Sequence, residues 1–378
     1  MAVRMIQRPL FLWLWPGMRL ALLWGCVAAC LAFFSLTATP AWSQPSSATH
    51  PGPVQPTLKI VGGLAGVAQF NQLEAPFWTQ ELARLSGGKY TASMVAFDRA
   101  GVPGSEMLRL IQLGVVPFGT VLMSSLSGSF PRYAAPDLAG LNLDFDQLRT
   151  SLGAFRPYLD KALREEQGIE LLALYIYPAQ MVFCKKPLKR LAELRGRRVR
   201  VSSASQADFV SAFGAIPSLT AFDQIVSRLE TGGVDCAVTG TLSGSAIGLQ
   251  RLTTDVYQLP INWGMAIFGA NRAAWLALPP DLRALLQAEL PKLEARIWAQ
   301  SERDTAQGLA CLSGKIACPD GTSGAMQVAS VSAQDRQIAE QVFAGTVLLR
   351  WLQRCGTSCA DIWNTTLGPA RGVALPAP

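Results

Sequence analysis

The stretch Leu194–Val201 reads Leu-Arg-Gly-Arg-Arg-Val-Arg-Val and holds the side chains best suited to chemistry in this chain. A short helical piece ends at Gly196 and a strand follows at once. Strand side chains alternate, so Arg198 and Arg200 share one face while Val199 and Val201 point into a core. Ser202, Ser203 and Ser205 come next, then a helical run to Phe213. A strand-to-helix junction in an α/β protein is where ligands sit. There an arginine offers a planar fork of donors that matches a carboxylate.

Other candidates are scattered. Gln69 and Phe70 follow the first strand and its glycine turn, placed to reach a cleft. Ser124 closes the third strand, where its hydroxyl can meet a ligand oxygen. Trp263 carries a large apolar face and one N–H, the makings of a pocket wall. The sole histidine of the chain is His50. Beyond it, Ser-His-Asp and Cys-His triads and histidine-held metals are excluded. No paired-carboxylate motif points to acid–base catalysis: Asp208 reads as helical and exposed, and Asp223 sits near a helix start. The glycine cluster at 62–66 lacks the Lys-Ser/Thr of a phosphate loop, so no nucleotide or other cofactor is expected.

The elements that must position these residues alternate between strand and helix, the pattern of a parallel α/β sheet. Strands are expected at Leu58–Val61, Tyr90–Phe97 and Pro117–Met123. Leu148, Leu152, Phe155, Leu159 and Leu163 recur at helical spacing and predict a helix over 145–167. Pro178, between two apolar strands, marks a crossing point between domains. Further strands are expected at Val234–Thr239, Asp255–Pro260 and Trp263–Gly269, the last two returning across the hinge. Asp281–Gly308 predicts a long amphipathic helix with a kink at Pro291. The expected division is 58–177 with a return near 263–280 for one lobe and 178–262 for the other. Residues 281–378 then supply the long helix and a cysteine-bearing helical end.

The 378 residues are 50% hydrophobic, enough for two ordinary α/β domains. Residues 1–43 have the make-up of an export signal: three arginines, no acid, the apolar run Leu20–Leu36, then Ala41-Trp42-Ser43. A retained membrane anchor is the alternative. Residues 44–57 read as a Pro/Ser/Gly-rich tether. After residue 43 the chain keeps 30 basic and 26 acidic residues, a net of +4 with no basic stripe, so nucleic acid is not an expected partner. Six cysteines remain. Cys311, Cys318, Cys355 and Cys359 are disulfide candidates for an oxidising compartment, in any of three connectivities. Cys184 and Cys236 lie on apolar strands and read as buried, inert thiols.

Four stretches together resemble the solute receptors of tripartite ATP-independent periplasmic (TRAP) transporters. They are Gly101–Gly114, Leu194–Val201, Phe213-Gly214-Ala215 with Phe222 to Asp235, and Asn271-Arg272-Ala273-Ala274-Trp275 with Leu278-Pro279. The resemblance implies a two-lobe periplasmic binding protein fold, α/β, with hinge-crossing strands and a long bracing helix. It implies capture of a small organic carboxylate and delivery to TRAP membrane subunits from the periplasm. Arg200 stands where the family's carboxylate-pairing arginine stands. Two positions depart. Thr239 offers a hydroxyl where the family often has an asparagine amide. Gln180, with Tyr177 and Phe183, stands where an arginine or aromatic is common. A binding protein that serves a sensor, or works without a transporter, is the alternative reading; an enzyme on the same scaffold is the remote one.

Overall fold

The computed structural model describes residues 57–318 and 322–375. The expected export segment, and the expected tether apart from Thr57, lie outside the described residues, as does His50.

Two sheets carry the molecule. The first comprises β1 (Leu58–Gly62), β2 (Ala92–Ala96), β3 (Phe118–Leu122) and β4 (Ile169–Tyr175). The second comprises β5 (Gln180–Cys184), β6 (Arg198–Val201), β7 (Ile216–Leu219), β8 (Cys236–Gly240) and β9 (Asp255–Asn262). Strand β10 (Ala266–Asn271) then returns to the first sheet, and the short β11 (Gln327–Ala329) edges the second. The strand orders are β2-β1-β3-β10-β4 and β11-β9-β5-β8-β6-β7. Parallel pairs form where a helix connects consecutive strands, as β1 with β2 and β6 with β7. The strands that change sheet pair antiparallel: β10 with β3 and β4, β5 with β8 and β9.

The chain therefore passes between lobes at residues 176–179 and again at residues 263–265. The two crossings touch, with Tyr177 N–H donating to the Trp263 carbonyl at 3.3 Å. The expected strand Trp263–Gly269 is corrected here, since pairing begins at Ala266. Residues 263–265 are instead irregular, because the buried Asp137 carboxylate gathers their N–H groups. The loss of ladder bonds is thus met by a charged acceptor.

The long helix spans Pro280–Leu312, 33 residues assigned as one helix through Pro291. It binds the first crossing along one face. Glu294 accepts from Leu174 N–H at 2.9 Å, and Trp298 Nε1 donates to Leu174 O at 2.8 Å. Ser301 Oγ donates to Ile176 O at 2.6 Å, and Thr305 Oγ1 accepts from Ala179 N–H at 3.0 Å. These positions lie three or four residues apart, the spacing of one helix face. Gly308 completes the contact. A Cβ there would stand 2.4 Å from the Leu242 backbone nitrogen, so a side chain would force the helix off the second lobe.

Helix Phe145–Gln167 matches its expected bounds. Asp144 caps it by accepting from Gln147 N–H at 2.9 Å, while Gln147 Oε1 accepts from Leu143 N–H at 2.8 Å. That reciprocal pair satisfies two otherwise orphaned donors. Its predicted apolar face is buried. The C-terminal helices touch both lobes: Trp351 Nε1 donates to Pro131 O at 2.8 Å, and Arg350 pairs with Asp208 at 3.2 Å. Asp208 is buried and also pairs with Arg354 at 2.6 Å, so the expectation of an exposed residue is corrected. The local pattern contains no trace of partners more than 140 residues away.

Among the described residues three disulfides form. Cys311 pairs with Cys318 and Cys355 with Cys359, both short-range closures. The third joins Cys184 and Cys236, correcting the reading of two inert thiols. They are opposed residues on neighbouring antiparallel strands, with Cα atoms 4.1 Å apart. Only the register of β5 against β8 brings them together.

Candidate functional site

Strand β6 places its two arginines differently although they share a face. Arg198 is at the rim, fixed to Asp235 by a two-pronged ion pair with a closest approach of 2.8 Å. Arg200 is 3% exposed, one turn of the pleat deeper. Val199 and Val201 fill the core behind them. β6 lies between β8 and β7, and Arg200 uses both neighbours. Its Nε donates to Thr220 O at 2.9 Å and its Nη1 to Val238 O at 2.8 Å. Both partners are neutral carbonyls, one just past the end of β7 and the other in the middle of β8. No carboxylate of the described residues lies within ion-pair distance, and the main favourable charge felt there is that of Asp223. Burial pushes the guanidinium down to about 9, still cationic at neutral pH. A desolvated cation with neutral partners is an anion-binding group in waiting.

Other candidates lie in the first lobe. Gly62 and Gly63 end β1 where a side chain has no room. A Cβ at Gly63 would meet the Tyr177 hydroxyl at 2.7 Å and the Glu74 carboxylate at 3.0 Å. The cluster thus admits the protein's own side chains. Glu74 accepts from Gly63 N–H at 3.1 Å and from the Thr120 hydroxyl, and burial pushes it up to about 7. Phe70 is half-buried and packs over Gly62. Gln69 is 3% exposed, and neither its Oε1 nor its Nε2 has a hydrogen-bond partner. The lobes touch at several points, among them these two. Gly66 faces Phe222, whose ring lies 3.5 Å from a Cβ built on the glycine. Ala204 N–H donates to Ser127 Oγ at 3.3 Å.

At the hinge, Asp137 accepts from Asn262 Nδ2 (3.0 Å), Trp263 N (3.1 Å), Gly264 N (3.2 Å) and Met265 N (3.2 Å). Burial pushes it up to about 6 even so. Gly264 has φ +61°, and a Cβ there would strike Gln180 Nε2 at 2.3 Å. Gln180 accepts from Gln206, which also donates to Asn262 Oδ1 at 2.7 Å. Gln206 Oε1 takes the N–H of Ser202 at 2.7 Å. One hydrogen-bonded chain therefore runs from the hinge to the end of β6, two residues beyond Arg200.

The sequence candidates separate accordingly. Arg200, Thr239 and Gln180 all belong to the second sheet, with Thr239 next to the Val238 carbonyl that holds Arg200. Gln69 and Phe70 belong to the first lobe, three and four residues after the Gly66 that faces Phe222. Ser124 borders a crevice of about 10 Å³, with Ser127, Asp137, Ser203 and Ser205, away from Gln69. Trp263 lies in the hinge core, its N–H donated to Asn142 O at 3.0 Å and its ring edge-on to Phe145. Glu74, Asp137, Thr220 and Gln206 were not found by sequence reasoning. For Glu74 a signal existed, an acid on the buried face of an apolar helix. For Asp137 and Thr220, on short irregular segments, no periodicity singles them out.

The family model DctP, bacterial extracellular solute-binding protein family 7, matches residues 65–347. Solved structures share the fold. One is DctP7 of Bordetella pertussis, an extracytoplasmic solute receptor binding pyroglutamic acid. It is 22% identical, with a TM-score of 0.72 over 82% of this chain and 99% of that one. A TRAP periplasmic solute-binding protein from Desulfovibrio salexigens, with bound orotic acid, is 15% identical, with a TM-score of 0.71 over 84% and 99% of the two chains. Another from Rhodoferax ferrireducens, with bound malonate, is 16% identical, with a TM-score of 0.70 over 82% and 99%.

Proposed function

The chain belongs to family 7 of the bacterial extracellular solute-binding proteins, and from that premise we propose that it captures a small organic carboxylate between its lobes, with Arg200 as counter-ion. The observation that carries this is the burial of Arg200 against two neutral carbonyls. The carbonyls of Thr220 and Val238 fix the guanidinium plane before ligand arrives, so little side-chain entropy remains to be lost. A hydrogen bond to a charged group contributes on the order of 1.5–3 kcal/mol, and a bidentate pair exceeds one such bond. Closing the lobes removes water and strengthens the pair. Ligand shifts the molecule toward the closed form only through tighter binding to it.

Thr239 lies beside Arg200 on the neighbouring strand, Gln180 one strand further in the same sheet, and Gln69 and Phe70 would close the site from the other lobe. Delivery is to TRAP membrane subunits in the periplasm, reached by the export signal at residues 1–43. The similar proteins of known structure bind pyroglutamic acid, orotic acid and malonate, all carboxylates. A thermal-shift screen tests the reading. Small carboxylates should raise the melting temperature by mass action, and their methyl esters should not. Esters that stabilise as well as the parent acids would remove the counter-ion role.

A further inference from the structure

A groove of about 420 Å³ runs between helix Phe145–Gln167 and the long helix, with Leu174 of β4 also in its lining. None of the residues proposed for the cleft lines it. Its volume falls within the roughly 300–1,000 Å³ of small-molecule sites. Both helices break a local rule at this place. Glycine and proline are the poorest helix formers. Gly153 sits exposed in mid-helix, and a Cβ on it would meet nothing within 4 Å. Neither backbone conformation nor crowding therefore calls for glycine, and what a side chain there would do is enter the groove. On the other side Pro291 stands inside the long helix, where it forfeits one helical hydrogen bond. Positions 291, 295 and 299 recur every four residues, so Pro291, Ala295 and Ala299 present one row of short side chains to the gap. Sequences break local propensity chiefly where function or strain demands it.

The polar groups of the groove are unevenly spent. Glu294 accepts from Leu174 N–H at 2.9 Å and takes both arms of Arg156. Trp298 gives its N–H to Leu174 O at 2.8 Å, so the indole has only apolar surface left to offer. Arg149 differs. Its guanidinium lies over the Phe145 ring at 4.8 Å, and the acid within ion-pair distance is Glu302 at 3.8 Å, both side chains more than half exposed. Such a rim pair contributes little. The lining thus carries two arginines against one carboxylate, a surplus of positive charge. Arg149, Gly153 and Arg156 share one stripe of their helix, at i, i+4 and i+7, so guanidiniums flank the gap that glycine leaves. We propose that this groove is a second ligand site, separate from the cleft, for an amphiphilic organic anion: an aryl carboxylate or sulfonate. Its ring lies over Gly153 against Trp298 and the two alanines, and its anionic head pairs with Arg149. Burial of the ring supplies the affinity, and Arg149 supplies the preference for negative charge. A compact diacid has no apolar body to bury there, so the two sites sort anions by the size of that body.

The test uses 4-benzoylbenzoate, an aryl carboxylate that photolabels what it touches, and its neutral analogue 4-benzoylbenzamide. In calorimetric titration of the exported protein the acid should bind about 3- to 10-fold tighter than the amide. Arg149→Ala should erase that preference. Gly153→Leu puts an apolar side chain into the groove and improves helix propensity. It should weaken both probes by about 10-fold or more, while a carboxylate captured in the cleft keeps its affinity. Irradiation with 4-benzoylbenzoate should label peptides from 149–156 and 291–299. Should Gly153→Leu fail to melt cooperatively, Arg149→Ala, a change at an exposed side chain, and the labelling pattern decide alone. Undiminished binding in Gly153→Leu, equal affinity for acid and amide, or labelling confined to other segments overturns the inference and leaves the cleft reading untouched. A concentration-dependent dimer in sedimentation that Gly153→Leu abolishes gives the groove to a second copy of the chain and overturns it too.

Discussion

Among the buried ionisable residues, Arg200, Asp137 and Glu74 stand out at the scale of single residues, each unpaired with an opposite charge. Arg200 is a cation among carbonyls, and Asp137 and Glu74 are carboxylates among N–H and O–H donors. For the acids, the direction of the pH effect follows from burial. Asp137 is raised from 3.8 to about 6 and Glu74 from 4.5 to about 7. The fold therefore holds these protons more tightly than the unfolded chain does. Below pH 3.8 neither acid imposes a cost. As pH climbs from there to about 7 the unfolded chain gains by ionising first, and stability falls. The cost is complete above pH 7, at roughly 3 kcal/mol per group. Melting temperature from these groups should thus decline between pH 4.5 and 7, and Glu74→Gln should make the decline shallower. An unchanged slope in that variant would show that Glu74 is ionised throughout. At this scale the sequence was informative where type and position coincide. Arg200 stood out because an arginine on an apolar strand is conspicuous. Gln206 did not, because a glutamine on a short helix looks like surface until its partners on other elements are known.

Elements were legible where periodicity runs long. Helix Phe145–Gln167 was expected with its observed bounds, since both its cap and its apolar face are local. Strand pairing was less legible, as the two central cysteines illustrate. Cys184 and Cys236 are 52 residues apart, and nothing short of the β5–β8 register makes them neighbours. The bridge ties β5 to β8, the strand beside β6, and Val238, whose carbonyl holds Arg200, lies two residues beyond Cys236. Closing a loop of that size restricts the unfolded chain, and such a bridge typically contributes about 2–4 kcal/mol. Non-reducing peptide mapping should recover Cys184–Cys236 as one linked pair. A Cys184→Ala, Cys236→Ala double variant should melt lower by several degrees. Free thiols at both positions in the exported protein would contradict the pairing. The strand expected from Trp263 starts only at Ala266 for a related reason: residues 263–265 pattern like a strand, but a distant carboxylate claims their donors.

For the whole molecule, the alternation of strands and helices fixed the class, and two sheets joined by touching crossings give the architecture. The long helix and the C-terminal helices add rigidity, the first along one crossing and the second by reaching Pro131 and Asp208 together. In the proposed function the lobes close by rotating about residues 176–179 and 263–265. The central claim is that this rotation encloses an anion against one desolvated guanidinium. Calorimetric titration of a carboxylate that stabilises the unaltered protein, repeated with Arg200→Ala, tests it most directly. The account predicts a folded variant whose affinity falls at least 100-fold, given the loss of a bidentate charged pair. An Arg200→Ala protein that binds the same carboxylate with undiminished affinity would contradict it.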